Sequence, residues 1–111
     1  MDLENTQSQM RKGILEFCIL HILSAESRYS SDILSELKAA KLIVVEGTLY
    51  PLLTRLKNAE LLQYKWEESK SGPPRKYFEL TEKGRRFLLE LNKTWSDLDF
   101  AVKTIINRHP K

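Results

Sequence analysis

A basic segment without any carboxylate lies in the second half of the sequence. Between Ser69 and Phe78 the chain carries three cationic side chains and no acidic one, and these cations are Lys70, Arg75 and Lys76. The glycine and the two prolines of the same segment favour a turn. Lysine and arginine bind a nucleic acid backbone by replacing the counterions of its phosphates. The segment therefore predicts a basic loop that lies against phosphates or enters a minor groove.

A second set of polar side chains is interleaved with leucines in the stretch EGTLYPLLTRLKNAELL, from Glu46 to Leu62. Leu49, Leu53 and Leu56 recur at helical spacing and form one apolar stripe. The remaining faces carry hydroxyl, aromatic, proline and cationic side chains, namely Thr48, Tyr50, Pro51, Thr54, Arg55 and Lys57. These groups suit contact with the phosphates and base edges of a DNA major groove. The alternative interpretation is an ordinary polar helix face.

Pro51 helps to place the start of this helix. A proline in a helix interior removes a hydrogen bond and costs about 3 kcal/mol. In the first turn it costs little, because the first four N–H groups of a helix have no partner within it. We therefore predict that the helix begins at Gly47 or Thr48. Its N-terminal turn, with its free N–H groups, would then face phosphates in the groove.

Two helices are predicted before this one, and a hairpin after it. The first helix runs from about Gln9 to Ser24, and the second from about Ser31 to Ala40, with Ser30 or Ser31 as its N-cap. Alternation from Leu62 to Trp66 predicts a strand, Tyr77 to Leu80 its returning partner, and ESKSGPPRK the loop between them. This order of elements is that of a winged helix-turn-helix, whose third helix enters the major groove.

The C-terminal part of the sequence predicts one long helix that begins at Thr81. Six large side chains recur there with heptad spacing: Leu88, Leu91, Trp95, Leu98, Val102 and Ile105. A helix of about 25 residues would be about 40 Å long, more than a small domain readily covers. We therefore predict a homodimer, with residues 1–80 as the DNA-binding domain and residues 81–111 as the dimerisation helix of one compact unit. The alternative is a long helix packed on its own domain.

The composition limits the remaining possibilities. The chain has 111 residues, 41% of them hydrophobic, a formal net charge of +3 and a pI of about 9.0, as expected for one small domain. Cys18 is the single cysteine and lies in an apolar run, which indicates a packing residue. His21 and His109 have no convincing set of further metal ligands. We expect neither an enzyme, nor a metal, nor a cofactor.

The N-terminus and the apolar stretches bear on the location of the protein. The first residues are acidic and polar, unlike those of a signal peptide. The longest apolar stretch, from Ile14 to Leu23, is interrupted by polar residues and is too short to span a bilayer. We therefore expect a cytoplasmic protein that does not enter a membrane.

Two motifs together resemble one protein family. GTLYPLLTRLKNAELL, followed about ten residues later by GPPRKYFELTEKGRRFL, resembles the PadR family of bacterial transcriptional regulators, from about Met10 to Ile106. The resemblance implies a winged-helix homodimer that typically represses transcription. It implies the short subgroup, in which a single C-terminal helix exchanges contacts with the partner. It also marks Gly47 to Ala59 as the recognition helix and Gly72 to Leu80 as the wing.

The resemblance assigns DNA contacts position by position, with two departures. The implied contacts are Thr48, Tyr50, Pro51, Arg55, Arg75 and Lys76. The family often has glycine before the second helix, where this chain has RYSSDI. It also has glycine at the end of the recognition helix, where this chain has Glu60 in RLKNAELL. If that position needs a positive φ, Glu60 would be mildly strained.

Trp95 suggests a site for a small molecule. Family members are often released from DNA by small aromatic compounds, and a bulky indole on a heptad seam leaves irregular space. Two facing indoles of a dimer could hold a planar aromatic ligand, with nearby carboxylates favouring a cation. We predict an effector pocket at the dimer interface, lined by Phe17, Trp95, Leu98 and Asp99. The alternative is that Trp95 is simply a core residue.

The leading hypothesis joins these observations. The fold is mainly α with a small β-hairpin, a winged helix-turn-helix followed by a long dimerisation helix. The protein is predicted to be a sequence-specific, ligand-responsive repressor that binds double-stranded operator DNA as a homodimer. The second hypothesis is a winged-helix protein-interaction module without DNA binding. It is favoured by four acidic residues that dilute the basic face: Glu46, Glu60, Glu67 and Glu68.

Overall fold

The computed structural model describes residues 1–42 and 44–110. Ile43, in the segment KLIVV, and Lys111, at the end of the predicted 81–111 segment, lie outside the described residues. The elements are, in chain order, α1 (Leu3–Ala25), β1 (Arg28–Tyr29), α2 (Ser30–Ala39), α3 (Glu46–Asn58), β2 (Leu62–Ser69), β3 (Gly72–Leu80) and α4 (Glu82–Arg108). They confirm the predicted fold class, a mainly α chain with a β-hairpin and a long C-terminal helix.

Helix α1 begins earlier than predicted. The sequence pattern placed its start near Gln9, but the helix starts at Leu3 because Asp2 caps it. The Asp2 carboxylate accepts a hydrogen bond from the Glu4 N–H at 3.1 Å, and the Thr6 hydroxyl donates to the Asp2 carbonyl oxygen. The added turns are polar and lack apolar periodicity, so only the cap signals them.

The predicted serine cap of α2 is wrong. Tyr29 occupies the N-cap position, and its N–H donates to the Asp32 carboxylate at 3.2 Å. Ser30 is the first helical residue and is only 3% exposed. Its side chain is therefore turned into the structure rather than back onto the helix end, and it becomes available for a tertiary contact.

The sheet has one strand more than predicted. Its order is β1-β3-β2, with both pairs antiparallel. Strand β1 has two residues, too few for alternation to be recognised, and pairs Tyr29 with Tyr77. The hairpin loop is also shorter than the predicted ESKSGPPRK, because β2 extends to Ser69 and β3 begins at Gly72. Only residues 70 and 71 remain outside the strands, so both prolines belong to β3.

The core forms where α1 crosses the other helices and the sheet. Its most buried side chains come from the first three helices: Ile19, Leu20, Leu23, Ile33, Leu37, Leu49 and Leu53. Leu62, Phe78 and Leu80 close it from the sheet side. Burial of this set holds α3 by its leucine stripe, which leaves the polar faces of that helix outside.

The end of α3 needs a left-handed residue, and Glu60 supplies it. Glu60 has φ 65°, which confirms the strained backbone anticipated at this glycine-like position. The Leu61 N–H donates back to the Leu56 carbonyl oxygen at 3.0 Å and ends the helix. The Thr81 hydroxyl donates to the Glu60 carbonyl oxygen at 2.6 Å, which ties this corner to the start of α4.

Helix α4 starts where predicted and packs on α1 along its first part. The Thr81 hydroxyl oxygen accepts from the Gly84 N–H at 2.9 Å, as an N-cap does. A side chain at Gly84 would overlap the Leu61 carbonyl oxygen and lie 3.1 Å from the Leu61 carbonyl carbon. The absence of a side chain at Gly84 therefore lets α4 approach the chain at the end of α3.

We expect Gly84→Ala to destabilise the fold by about 1–3 kcal/mol, because the added methyl group must displace backbone. Urea unfolding followed by circular dichroism measures the change. Gly13→Ala is the matched control, since nothing lies within 4 Å of its added carbon, and the gain in helix propensity should stabilise by up to about 1 kcal/mol. Equal stability of the two variants would contradict the close approach at Gly84.

Candidate nucleic-acid interface

Helix α3 presents three faces, which its leucine stripe defines. With about 100° between successive residues, side chains roughly opposite Leu49, Leu53 and Leu56 point away from the core. Pro51 and Thr54 lie on this outward face and are exposed. Gly47 and Asn58 share it, although the sequence pattern had not singled out either one for DNA contact.

One flank of α3 faces the wing, which we define as β2, β3 and their turn. The Lys57 ammonium lies 5.1 Å from the centre of the Tyr64 ring. From β3, the Lys76 ammonium lies 4.4 Å from the same ring and 5.6 Å from that of Trp66. Two predicted cations are thus held above aromatic rings rather than extended freely into solvent.

Tyr50 lies on the same flank and contacts α2. Its hydroxyl and the Ser30 hydroxyl are 2.9 Å apart and share a hydrogen bond. A cleft of about 230 Å³ opens beside this pair, between α3 and the wing. Arg75 reaches its edge, with its guanidinium carbon 5.0 Å from the centre of the Tyr29 ring. Tyr50, Arg75 and Lys76 are therefore brought together here, although they are distant in sequence.

The other flank of α3 faces α1. Arg55 pairs with Glu16 of α1 at 3.4 Å, with the carboxylate mostly buried and the guanidinium exposed. Thr48 and Pro51 border a second cleft with residues of the N-terminal half of α1, among them Lys12. The structure thus divides the predicted contacts between two sides of α3. Lys12 and the Glu16 pair were not anticipated, because no local pattern links α1 to α3.

The wing turn leaves its cation exposed. Lys70 lies in the turn itself, away from the groups that converge near Tyr50. Of the acidic residues expected to dilute the basic face, Glu67 pairs with Lys65 at 3.7 Å and Glu60 with Lys83 at 3.8 Å. These two charges are therefore partly offset within the protein.

Pro51 lies further into α3 than predicted. The helix begins at Glu46, so the predicted start at Gly47 or Thr48 is wrong by one or two residues, and Pro51 falls in the second turn. The Thr48 and Leu49 N–H groups both donate to the Val45 carbonyl oxygen. Pro51 has no N–H to donate back to Gly47, whose exposed carbonyl can be solvated instead.

The residues of the predicted effector pocket lie on α1 and α4. The Phe17 and Trp95 rings are 6.2 Å apart, and Trp95 is 43% exposed. Leu98 is exposed on the next turn of α4, and the Asp99 carboxylate accepts from the Lys103 ammonium at 3.0 Å. Asp99 is therefore already paired.

The heptad positions of α4 differ in burial along the helix. Leu88 is buried and Leu91 is half-buried against α1, whereas the next four positions are exposed: Trp95, Leu98, Val102 and Ile105.

Cys18, on α1, is half-buried, and burial raises the pKa of its thiol above the ordinary value. The thiol therefore stays protonated at neutral pH and is a poor nucleophile.

Comparison with known proteins decides the family. Residues 19–90 match the PadR-like family of transcriptional regulators, a span that includes α2, α3 and the whole wing. The chain belongs to the PadR-like family. Members of this family are transcriptional regulators and not enzymes, so the expectation that this protein is not an enzyme is confirmed. Within the described ranges of this PadR-like protein, no helix is long and apolar enough to cross a membrane.

Solved structures agree with this PadR-like assignment. A PadR-like transcription factor from Bacteroides fragilis is 60% identical, with a TM-score of 0.77, over 91% of this chain and 98% of that one. A PadR-like regulator from Bacillus cereus is 37% identical, with a TM-score of 0.80, over 89% and 97%. Bacillus subtilis PadR in complex with operator DNA shares the fold at 21% identity and a TM-score of 0.64, over 70% and 46%.

Proposed function

We propose that this PadR-like regulator binds operator DNA as a homodimer and represses transcription until a small aromatic effector releases it. The observation that carries the DNA-binding proposal is the outward face of α3. That face is exposed and carries Thr54 and Asn58, and the wing cations Arg75 and Lys76 lie by the neighbouring flank, where Tyr50 borders the same cleft. A relative with the same fold, Bacillus subtilis PadR, was solved with operator DNA.

The proposed mechanism assigns a role to each part of the chain. Residues 1–80 read the DNA, with α3 in the major groove and the wing on the adjacent backbone or minor groove. Residues 81–111 join two copies, so that two recognition helices reach half-sites about 34 Å apart, one turn of the duplex. Such a regulator acts where the bacterial chromosome is, in the cytoplasm.

Removing one wing cation should change the salt dependence of DNA binding. Lys76→Ala should reduce the slope of log K against log salt by about 1, because one phosphate contact is lost.

Arg55→Ala should weaken binding by about 1–3 kcal/mol if its guanidinium reaches a base. The measurement is a salt-titrated gel shift with the promoter region of the protein's own gene.

Lys93→Ala is the matched control, because it removes one cation from α4, away from the α3 and wing surface. It should leave the slope nearly unchanged. If wild-type protein fails to bind any duplex at low salt, the DNA-binding proposal is wrong and the interaction-module hypothesis gains. If Lys76→Ala and Arg55→Ala both bind like wild type, the assignment of the groove-facing surface is wrong.

The exposed half of α4 supports the homodimer. Leu98, Val102 and Ile105 are each more than half exposed and lie on one seam. A continuous apolar seam of this length on a small chain is a common sign of an interaction surface. A second copy of the same helix matches it, because a two-fold interface pairs one surface with itself.

A charge on this seam should dissociate the dimer. Val102→Glu should raise the dimer dissociation constant at least about tenfold, because it would bury an unpaired carboxylate. Sedimentation equilibrium measures the constant. Asn107→Glu, on an exposed position outside the seam, should remain dimeric. A Val102→Glu protein as dimeric as wild type would contradict the α4 interface.

The effector pocket is proposed around Trp95. Its ring lies beside Phe17 and is partly exposed on the seam, so two copies would bring two such ring pairs together. A planar ligand between the indoles would change the spacing of the two DNA-binding domains only if it binds one spacing more tightly than the other. Asp99 contributes less charge than predicted, because Lys103 pairs with it.

Planar cationic dyes should quench the fluorescence of Trp95. In Trp95→Ala the dye affinity should fall at least about tenfold, the scale expected for losing one aromatic stacking partner. Trp66→Phe separates the second tryptophan and should bind the dye like wild type. Equal dye affinity of Trp95→Ala and wild type would leave Trp95 as a packing residue.

A further inference from the structure

The cleft between α3 and the wing has an unusual lining. It combines hydroxyl, aromatic and cationic groups in about 230 Å³, and none of its lining residues carries a carboxylate. These residues come from the start of α2, from α3 and from both wing strands: Tyr29, Ser30, Tyr50, Trp66, Pro74, Arg75, Lys76 and Phe78. Such a lining selects an anion that also has an apolar surface.

Ser30 gives the cleft its fixed polar point. At 3% exposure it is the one buried polar residue in the part of the chain that the structure describes. Its hydroxyl lies 2.9 Å from that of Tyr50, whose ring borders the cleft. A buried hydroxyl needs a partner, so this bond holds Tyr50 in place.

The hydroxyl pair can serve an anion without losing its own hydrogen bond. Either hydroxyl can donate to the other. An anion in the cleft accepts from the Tyr50 hydroxyl, which leaves the Ser30 hydroxyl to donate to the Tyr50 oxygen. Each bond of such a chain strengthens the other. Ser30 is then a positioning residue that acts through Tyr50.

The cations and Trp66 surround the same space. Lys76 and Arg75 are held over aromatic rings at 4.4 Å and 5.0 Å, so their charges stay at the edge of the cleft. Trp66 is 62% exposed and lines the cleft rather than the core. An exposed indole beside two cations offers a flat apolar surface for the part of the ligand next to its charge.

DNA geometry identifies the occupant. In the proposed complex α3 lies in the major groove, and the two grooves of a duplex are separated by a sugar–phosphate strand. The wing lies on the adjacent backbone or in the minor groove of the same complex. The part of the duplex between α3 and the wing is therefore sugar–phosphate backbone. We propose, resting on the proposed DNA binding, that this cleft holds one phosphodiester and its deoxyribose. The Ser30–Tyr50 pair and the wing cations bind the phosphate, and Trp66 packs on the sugar.

A double-mutant cycle tests the hydroxyl pair. Tyr50→Phe should weaken duplex binding about tenfold, and Ser30→Ala about threefold to tenfold, in a gel shift at fixed salt. Because Ser30 acts through Tyr50, Ser30→Ala should add no further loss to Tyr50→Phe. Ser31→Ala, on the exposed side of α2, is the matched control and should bind like wild type.

A phosphate scan tests the occupant independently of protein stability. Neutral methylphosphonate linkages are placed one at a time in the duplex. At one linkage per half-site, the affinity of wild type should fall at least about fivefold. The affinity of Tyr50→Phe should fall little further at that linkage, since its contact with this phosphate is already gone.

A quenching experiment tests the contact of Trp66 with the sugar. In Trp95→Phe, where Trp66 is the remaining tryptophan, bound duplex should reduce the quenching of Trp66 fluorescence by acrylamide.

The outcomes separate this site from the wider function. If wild type binds duplex and both Tyr50→Phe and Ser30→Ala bind it as tightly as wild type does, the cleft is not a phosphate site. The proposed DNA binding then stands. If Ser30→Ala costs as much in Tyr50→Phe as in wild type, Ser30 does not act through Tyr50. An unchanged Trp66 quenching rate excludes the packing on sugar. If wild type binds no duplex, both proposals fail.

Discussion

Four elements of this protein meet at one backbone junction, and their relative placement depends on it. Helix α3 ends at a left-handed Glu60, and the next residue, Leu61, accepts from the Thr81 N–H at 3.1 Å. The Thr81 side chain bonds both the Glu60 carbonyl oxygen and the Gly84 N–H. Gly84 packs directly on Leu61 because it has no side chain. The end of α3, both wing strands and the start of α4 are therefore fixed together.

This junction connects the proposed DNA-reading surface to the proposed dimerisation helix. The wing cannot rotate freely relative to α3, since β2 leaves α3 at Leu62 and β3 returns to the same point at Leu80. Helix α4 departs from that point and packs along α1 through Arg85, which donates to the Ser24 carbonyl oxygen at 3.2 Å.

Electrostatics at the α3 surface depends on local pairing more than on net charge. The formal net charge is only +3, yet the cleft beside α3 is free of carboxylates and its cations are held over aromatic rings. Glu67 and Glu60 are paired elsewhere with lysines. Arg55 differs, because Glu16 already neutralises part of its charge, so any phosphate or base contact must compete with that ion pair.

The sequence predicted the parts of the fold that rest on local patterns. The leucine stripe of α3, the alternation of β2, the Thr81 cap and the heptad spacing of α4 are all repeats or signals within one short segment. The glycine-like position of Glu60 came instead from the resemblance to the family, which has glycine at the end of the recognition helix. The start of α1 was missed although Asp2 is a local cap, since the turns that follow it are polar and carry no period.

Only the tertiary structure decided the contacts between segments that are far apart in the chain. Two-residue β1 is a strand because β3 passes beside it, and Ser30 faces Tyr50 because α2 and α3 pack together. The Arg55–Glu16 pair and the contact of Gly84 with Leu61 have the same origin. By itself, the sequence determined the four helices and the two strands of the wing within the described residues, and which side chains they can offer. The packed core decided which side chains of α3 face the wing, which point outward and which face α1, because burial of the leucine stripe sets the rotation of that helix.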